Sequence, residues 1–132
     1  HLSIRRQRQM CIRDRGTTFG GNHLACVAAL AVLEVMEEEK LLGNAVMIGK
    51  YLREELEKIE ELENVRGRGL MIGFDVPEEY KDLKKNLLLN QKIFTGEAKP
   101  NVIRLLPSLG LKKRDAEMFI DAVKEELEAT AS

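Results

Sequence analysis

The sequence predicts an α/β chain: a small α+β layer with helices on one face of its strands, preceded by a strongly apolar helix. Three observations carry this. Leu24–Leu33 is apolar almost all round. Two later stretches, Leu41–Leu62 and Lys112–Leu127, place apolar residues at three- and four-residue spacings. Between them, glycine-punctuated β-type runs interrupt the helical period.

Residues 1–15, HLSIRRQRQMCIRDR, show neither period. They hold five Arg against one Asp, a net charge of +4, whereas the rest holds 16 basic against 21 acidic residues, a net charge of −5. The arm reads either as a basic nucleic-acid-binding segment or as foreign sequence, and the second is the expectation. Arg8–Arg15, RQMCIRDR, resembles a translated sequencing adaptor. Residues 1–15 are therefore set apart from the fold.

Gly16–Asn22, GTTFGGN, is a turn-rich loop leading into a helix over Asn22–Glu39. A helix apolar on most sides must be buried on most sides, so this one needs a partner. Leu41–Leu62 is the second helix, with Ala45, Ile48, Leu52, Leu56 and Ile59 as its stripe and Glu54–Lys58 as an i,i+4 pair. Asn64–Val76, NVRGRGLMIGFDV, reads as a strand or a strand pair. Pro77–Leu88 reads as a helix opening on proline and acids. Ile93–Thr95 and Asn101–Leu106 read as short strands. In the last helix Ala116, Phe119, Ile120, Val123 and Leu127 line one face.

The 132 residues suffice for one ordinary domain, and 44% hydrophobic with 33% charged residues is a globular composition. A net charge of −1 speaks against a nucleic-acid surface. No apolar run reaches the roughly 18–20 residues of a membrane span, and no secretory signal pattern is visible, so a cytoplasmic location is the expectation. Two cysteines make no disulfide framework, and Cys26, in an apolar run, reads as a buried small hydrophobe. With only His1 and His23, no metal-ligand spacing and no Ser-His-Asp arrangement exist.

Two segments could carry chemistry. In GTTFGGN, hydroxyls and backbone N–H groups before a helix suit an anion such as a phosphate, while Asn22 equally suits a plain N-cap. In Asn101–Leu109, NVIRLLPSL, Arg104 interrupts an apolar strand. It either snorkels to a sheet edge or meets a carboxylate in a bidentate fork. The glycines of Gly67–Gly73 half-match a dinucleotide loop, but a strand follows where that loop needs a helix.

GTTFGGN-x-LAC-x-AALAVLEV at Gly16–Val35, VRGRGLMIG at Val65–Gly73 and NVIRLLPSL together resemble the class III, pyridoxal-phosphate-dependent aminotransferases, most of all their acetylornithine type. The resemblance runs from Gly16 to about Glu128. It implies the C-terminal part of a fold type I transferase that works as a homodimer. Residues 16–40 would end the large cofactor domain, and residues 41–132 would form the small C-terminal α+β domain. Thr18 would bind the cofactor phosphate across the dimer interface, Thr17 would contact the acylated substrate, and Arg104 would bind the substrate α-carboxylate. The chain departs from the family's pattern at Arg15, His23 and Ser108, where the family commonly has His, Pro and Pro.

The implied reaction moves an amino group between N-acetylornithine, or N-succinylornithine, and 2-oxoglutarate, in arginine biosynthesis. The family's catalytic Lys would lie upstream of Gly16, which leaves no catalytic residue in this chain and predicts that the fragment alone is inactive. Alternatives are an ornithine- or 4-aminobutyrate-type transaminase, or a non-catalytic α+β interaction module.

Overall fold

A computed structural model of the chain describes residues 20–131. It divides into two compact units, His1–Glu39 and Lys40–Ser132. Residues 1–15, with Thr17 and Thr18, lie outside the described residues.

The described part of the first unit is one helix, α1 (His23–Glu38). The Asn22 side chain starts it, its Oδ1 accepting from the backbone N–H of Leu24 at 2.9 Å and of Ala25 at 3.2 Å. This satisfies two of the donors that a helix start leaves open. None of its residues is buried. Leu24 is 79% exposed and Val35, the most covered of its exposed large hydrophobics, still 43%. Cys26 is likewise exposed rather than buried, because the helix around it has no cover.

The second unit contains α2 (Leu41–Glu57), β1 (Glu63–Arg68), β2 (Met71–Asp75), a 3-10 turn (Glu78–Tyr80), α3 (Leu83–Leu89), β3 (Gly96–Lys99), β4 (Val102–Leu105) and α4 (Lys113–Ala131). The strands form one antiparallel sheet in the order β1-β2-β4-β3. Side chains alternate between the faces of a strand, and Ile72 opposes Leu105 while Phe74 opposes Ile103. All four are buried. Against this face α2 and α4 contribute the expected stripes: Ala45, Ile48, Leu52 and Leu56 from one, Ala116, Phe119, Ile120, Val123 and Leu127 from the other. Leu83 and Leu87 of α3 complete the core. Burying a side chain such as Phe74 contributes roughly 1.5–3 kcal/mol.

Several expectations shift in detail. The Asn64–Val76 run is a hairpin whose turn holds Gly69 at φ +57°. A Cβ on Gly49 of α2 would collide with the Gly69 carbonyl oxygen, so the helix lies directly on that turn. Pro77–Leu88 is not one helix, since the 3-10 turn precedes α3. Ile93–Thr95 is not a strand; β3 begins one residue later. Lys58 pairs with Glu55 rather than Glu54, and Glu54 pairs with Lys50 at 3.6 Å.

Polar side chains pin two of the joints. Asn44 of α2 donates from Nδ2 to the carbonyls of Leu109 (2.7 Å) and Leu111 (3.0 Å), holding the segment that follows β4. The buried carboxylate of Glu126 accepts from Asn90 Nδ2 at 3.2 and 3.0 Å and from Gln91 Nε2 at 3.0 Å. That ties the end of α3 to α4.

Candidate functional site

Arg104 sits in β4, an interior strand of the sheet. Its two neighbours across the strands are Gly73 on β2 and Gly96 on β3. Directly opposed residues share a face of the sheet, so the arginine stands on the face away from the helices, between two positions without side chains. Gly96 is close as well as bare: a Cβ there would lie 3.0 Å from the Arg104 carbonyl oxygen and 3.7 Å from its Nε.

Among the described residues no acid forms an ion pair with Arg104. Its Nε is buried and has no partner among the described residues. Asp75, two residues along β2 from Gly73, is engaged elsewhere. Arg66 Nη2 lies 2.7 Å from its Oδ1, and Asn64 Nδ2 donates to its Oδ2 at 2.9 Å. The bond from Arg66 first, and then that from Asn64, hold its carboxyl below the ordinary range against the opposing effect of burial. Asp75 is therefore committed to Arg66 and Asn64 within the hairpin and does not pair with Arg104.

A cavity of about 460 Å³ at the helix side of the sheet includes Thr95, Gly96 and the Arg104 position in its lining, with Leu52, Leu111, Phe119 and Asp115. Thr95 is not among the residues singled out from the sequence. Its β-branched side chain in the run IFT reads only as strand propensity. In the structure Thr95 is 5% exposed, and its Oγ1 is buried without a partner among the described residues.

The other expected sites differ. Asn22 acts as the N-cap, so the N–H groups of Leu24 and Ala25 are already bonded. Thr17 and Thr18 lie outside the described residues. None of the eleven lysines is buried. Lys84 alone is half-covered, and it pairs with Glu97. A Schiff-base lysine needs desolvation or a neighbouring cation to lower its pKa, and no lysine here has a desolvated setting. No group of His, Cys, Asp and Glu among the described residues could hold a metal ion. No described helix is long and apolar enough to cross a membrane.

The aminotransferase class-III family matches residues 5–127, nearly the whole chain. The chain belongs to the class-III aminotransferases. Their fold is that of the type I pyridoxal-phosphate-dependent transferases, of which it is a partial segment. It is 37% identical over 114 residues to an acetylornithine aminotransferase of Nitrosomonas europaea, covering 83% of this chain and 29% of that protein. It is 39% identical over 116 residues to an ornithine aminotransferase of Bacillus subtilis, covering 86% and 29%. An amine transaminase from an uncultivated Pseudomonas species, solved in its PLP-bound form, superposes with a TM-score of 0.75 at 28% identity, over 92% of this chain and 30% of that one. The chain thus spans under a third of the length of these class-III relatives.

Proposed function

We propose that this chain supplies the carboxylate-recognising end of an aminotransferase that moves an amino group between N-acetylornithine, or N-succinylornithine, and 2-oxoglutarate, a step of arginine biosynthesis in the cytoplasm. The single observation that supports this most is Arg104: a guanidinium on an interior strand, flanked by glycines on both sides, with a buried Nε that no described residue answers. A charged group so placed is costly unless it has a counter-charge. A substrate carboxylate provides one, and the planar fork fixes its orientation. 2-Oxoglutarate and glutamate both carry a carboxylate on the carbon that exchanges its amino group, so one arginine can hold this pair in both directions of that half-reaction; N-acetylornithine gives up its δ-amine, several bonds from its carboxylate.

The cofactor of the whole enzyme is pyridoxal 5'-phosphate, which provides the electron sink for the transfer. The described residues do not supply the amine that would hold it, since every lysine is exposed or paired. In this reading the lysine belongs to the part of the enzyme upstream of Gly16. Residues 16–40 end the large cofactor domain, and residues 41–132 form the small one. The whole enzyme is a homodimer in which Thr18 serves the partner subunit's cofactor phosphate and Thr17 the acyl group.

A second reading, an enzyme that takes free ornithine, is favoured by the Bacillus subtilis relative, which is as similar as the acetylornithine one. Competing the two amines in the whole enzyme separates them. The test of the site is Arg104→Lys in that enzyme. Losing the fork should raise KM for glutamate and 2-oxoglutarate together by about tenfold or more, the size of one charge-assisted hydrogen bond. Unchanged kcat/KM for both removes Arg104 from the site.

A further inference from the structure

We infer that Arg66 and Asn64 are positioning residues: by holding the carboxylate of Asp75 within the hairpin, they keep it off Arg104 and leave that guanidinium open to a substrate carboxylate. This rests on the reading of Arg104 given above and extends it to residues that touch no substrate.

The sheet register fixes the placement. Arg66 of β1 opposes Gly73 of β2, and Gly73 in turn opposes Arg104 of β4. Opposed residues share a face, so both arginines stand on the face away from the helices, one on each side of a bare position. Asp75 follows Gly73 by two residues on β2 and therefore stands on that face too. Across β4 it is opposed by Val102, two residues before Arg104. Asp75 is thus a diagonal neighbour of Arg66 on one side and of Arg104 on the other. Such diagonals put Cβ atoms roughly 7–8 Å apart, which a long side chain can span.

One carboxylate therefore stands between two guanidiniums, and its pairing is one-sided. Arg66 Nη2 lies 2.7 Å from Asp75 Oδ1, Asn64 Nδ2 donates to Oδ2 at 2.9 Å, and Arg66 Nη1 donates to the Asn64 carbonyl oxygen at 2.7 Å. The three residues close a ring of bonds inside the hairpin. Asn64 sits in the irregular stretch between Glu63 and Arg66, and a bulge of this kind re-aims a side chain. Arg104, on the other side of Asp75, forms no ion pair among the described residues. Released from the ring, Asp75 would compete for Arg104 at the high effective concentration of a group in the same molecule. Substrate affinity would then fall by the fraction of time that Arg104 is left unpaired.

The experiment uses the whole enzyme that carries this segment. The variants are Arg66→Met, Asn64→Gly and Asp75→Asn, the first two each combined with the third, and Arg104→Lys. The measurements are KM and kcat for 2-oxoglutarate and the inhibition constant of glutarate, an unreactive dicarboxylate. Arg66→Met should raise KM and the glutarate constant by about tenfold, as when Arg104 is free one time in ten, with the change falling on KM rather than kcat. Asn64→Gly suits the φ of +49° there, removes only the amide, and should raise both constants by about threefold. It carries the test alone where Arg66→Met does not fold. Asp75→Asn by itself should leave both constants within about twofold of the parent, and in the combined variants it should cancel the increase. Parent values in Arg66→Met and Asn64→Gly overturn the inference. So does an increase that Asp75→Asn fails to cancel, which makes the ring a packing element. If Asp75→Asn alone lowers KM by the factor that Arg66→Met raises it, the two charges act independently through space, and the inference is again overturned. Should Arg104→Lys raise the constants while the hairpin variants do not, the role of the hairpin is lost and that of Arg104 stands. If Arg104→Lys changes neither, the Arg104 reading fails and takes this one with it.

Discussion

Arg104 derives its meaning from what its neighbours lack. An arginine within an apolar strand can be read two ways from sequence, as a side chain that snorkels or as one that meets an acid. The strand register places Gly73 and Gly96 on either side of it, which leaves open space beside the guanidinium. Neither glycine can be matched to the arginine by counting along the chain. The bareness can be tested without touching the arginine. A Cβ at Gly73 would meet only the Ile103 carbonyl oxygen at 3.7 Å, an ordinary contact. Gly73→Leu should therefore keep the fold, with a melting temperature within a few degrees of the parent, while its side chain fills the space beside the guanidinium. Binding of oxo-acid substrate by the whole enzyme, measured as KM, should weaken at least about tenfold. Wild-type affinity with leucine in place would show that the substrate does not approach across that face.

At the level of elements, the helices were the most legible part, because a 3.6-residue period records burial directly. All five stripe residues foreseen for α2 and the turn after it, and all five for α4, are in the core. The short strands were harder. The run Ile93–Thr95 looks like a strand by composition, yet the sheet takes up Gly96–Lys99, GEAK, because the edge strand is fixed by pairing with β4 rather than by its own propensity. The hairpin carries an electrostatic consequence. Asp75 is bonded by Arg66 and Asn64, which lowers its folded pKa. A lowered carboxyl pKa gives stability that is complete above the unfolded value of about 3.9 and is lost as pH falls through the folded one. Melting temperatures at pH 7 and pH 3 should therefore drop less for Asp75→Asn than for the parent. An equal drop in both would show that the pair contributes nothing to the hairpin. The pair is partly exposed, so the difference should be modest.

For the whole molecule, the two units differ in whether they hold a core. The second has a buried core from α2 to α4, whereas α1 presents Leu24, Val27, Leu30, Val32 and Leu33 to solvent, each more than half exposed. Apolar patches of that extent drive association. The isolated chain should self-associate in a concentration-dependent way by light scattering, and Leu30→Lys combined with Leu33→Glu should relieve it without shifting the melting transition of the second unit. The same chain should be inactive. With pyridoxal phosphate, acetylornithine and 2-oxoglutarate added, borohydride trapping and peptide mapping should find no single lysine labelled at one equivalent, and no glutamate should form. One stoichiometric lysine with measurable glutamate would reverse that expectation.

Both outer strands of the sheet end their pairing irregularly. The β1–β2 register shifts between Glu63 and Arg66, the β3–β4 register between Glu97 and Lys99, and the strands concerned carry these charges outward. Charges and bulges on an edge keep a further strand from adding to it. Whatever clumping α1 causes should therefore proceed side chain to side chain and never by backbone templating. Deposits of this chain should be amorphous, with no thioflavin fluorescence and no 4.7 Å meridional reflection of the kind stacked strands give. They should also redissolve on dilution, because no ladder of shared backbone hydrogen bonds would run from one molecule to the next.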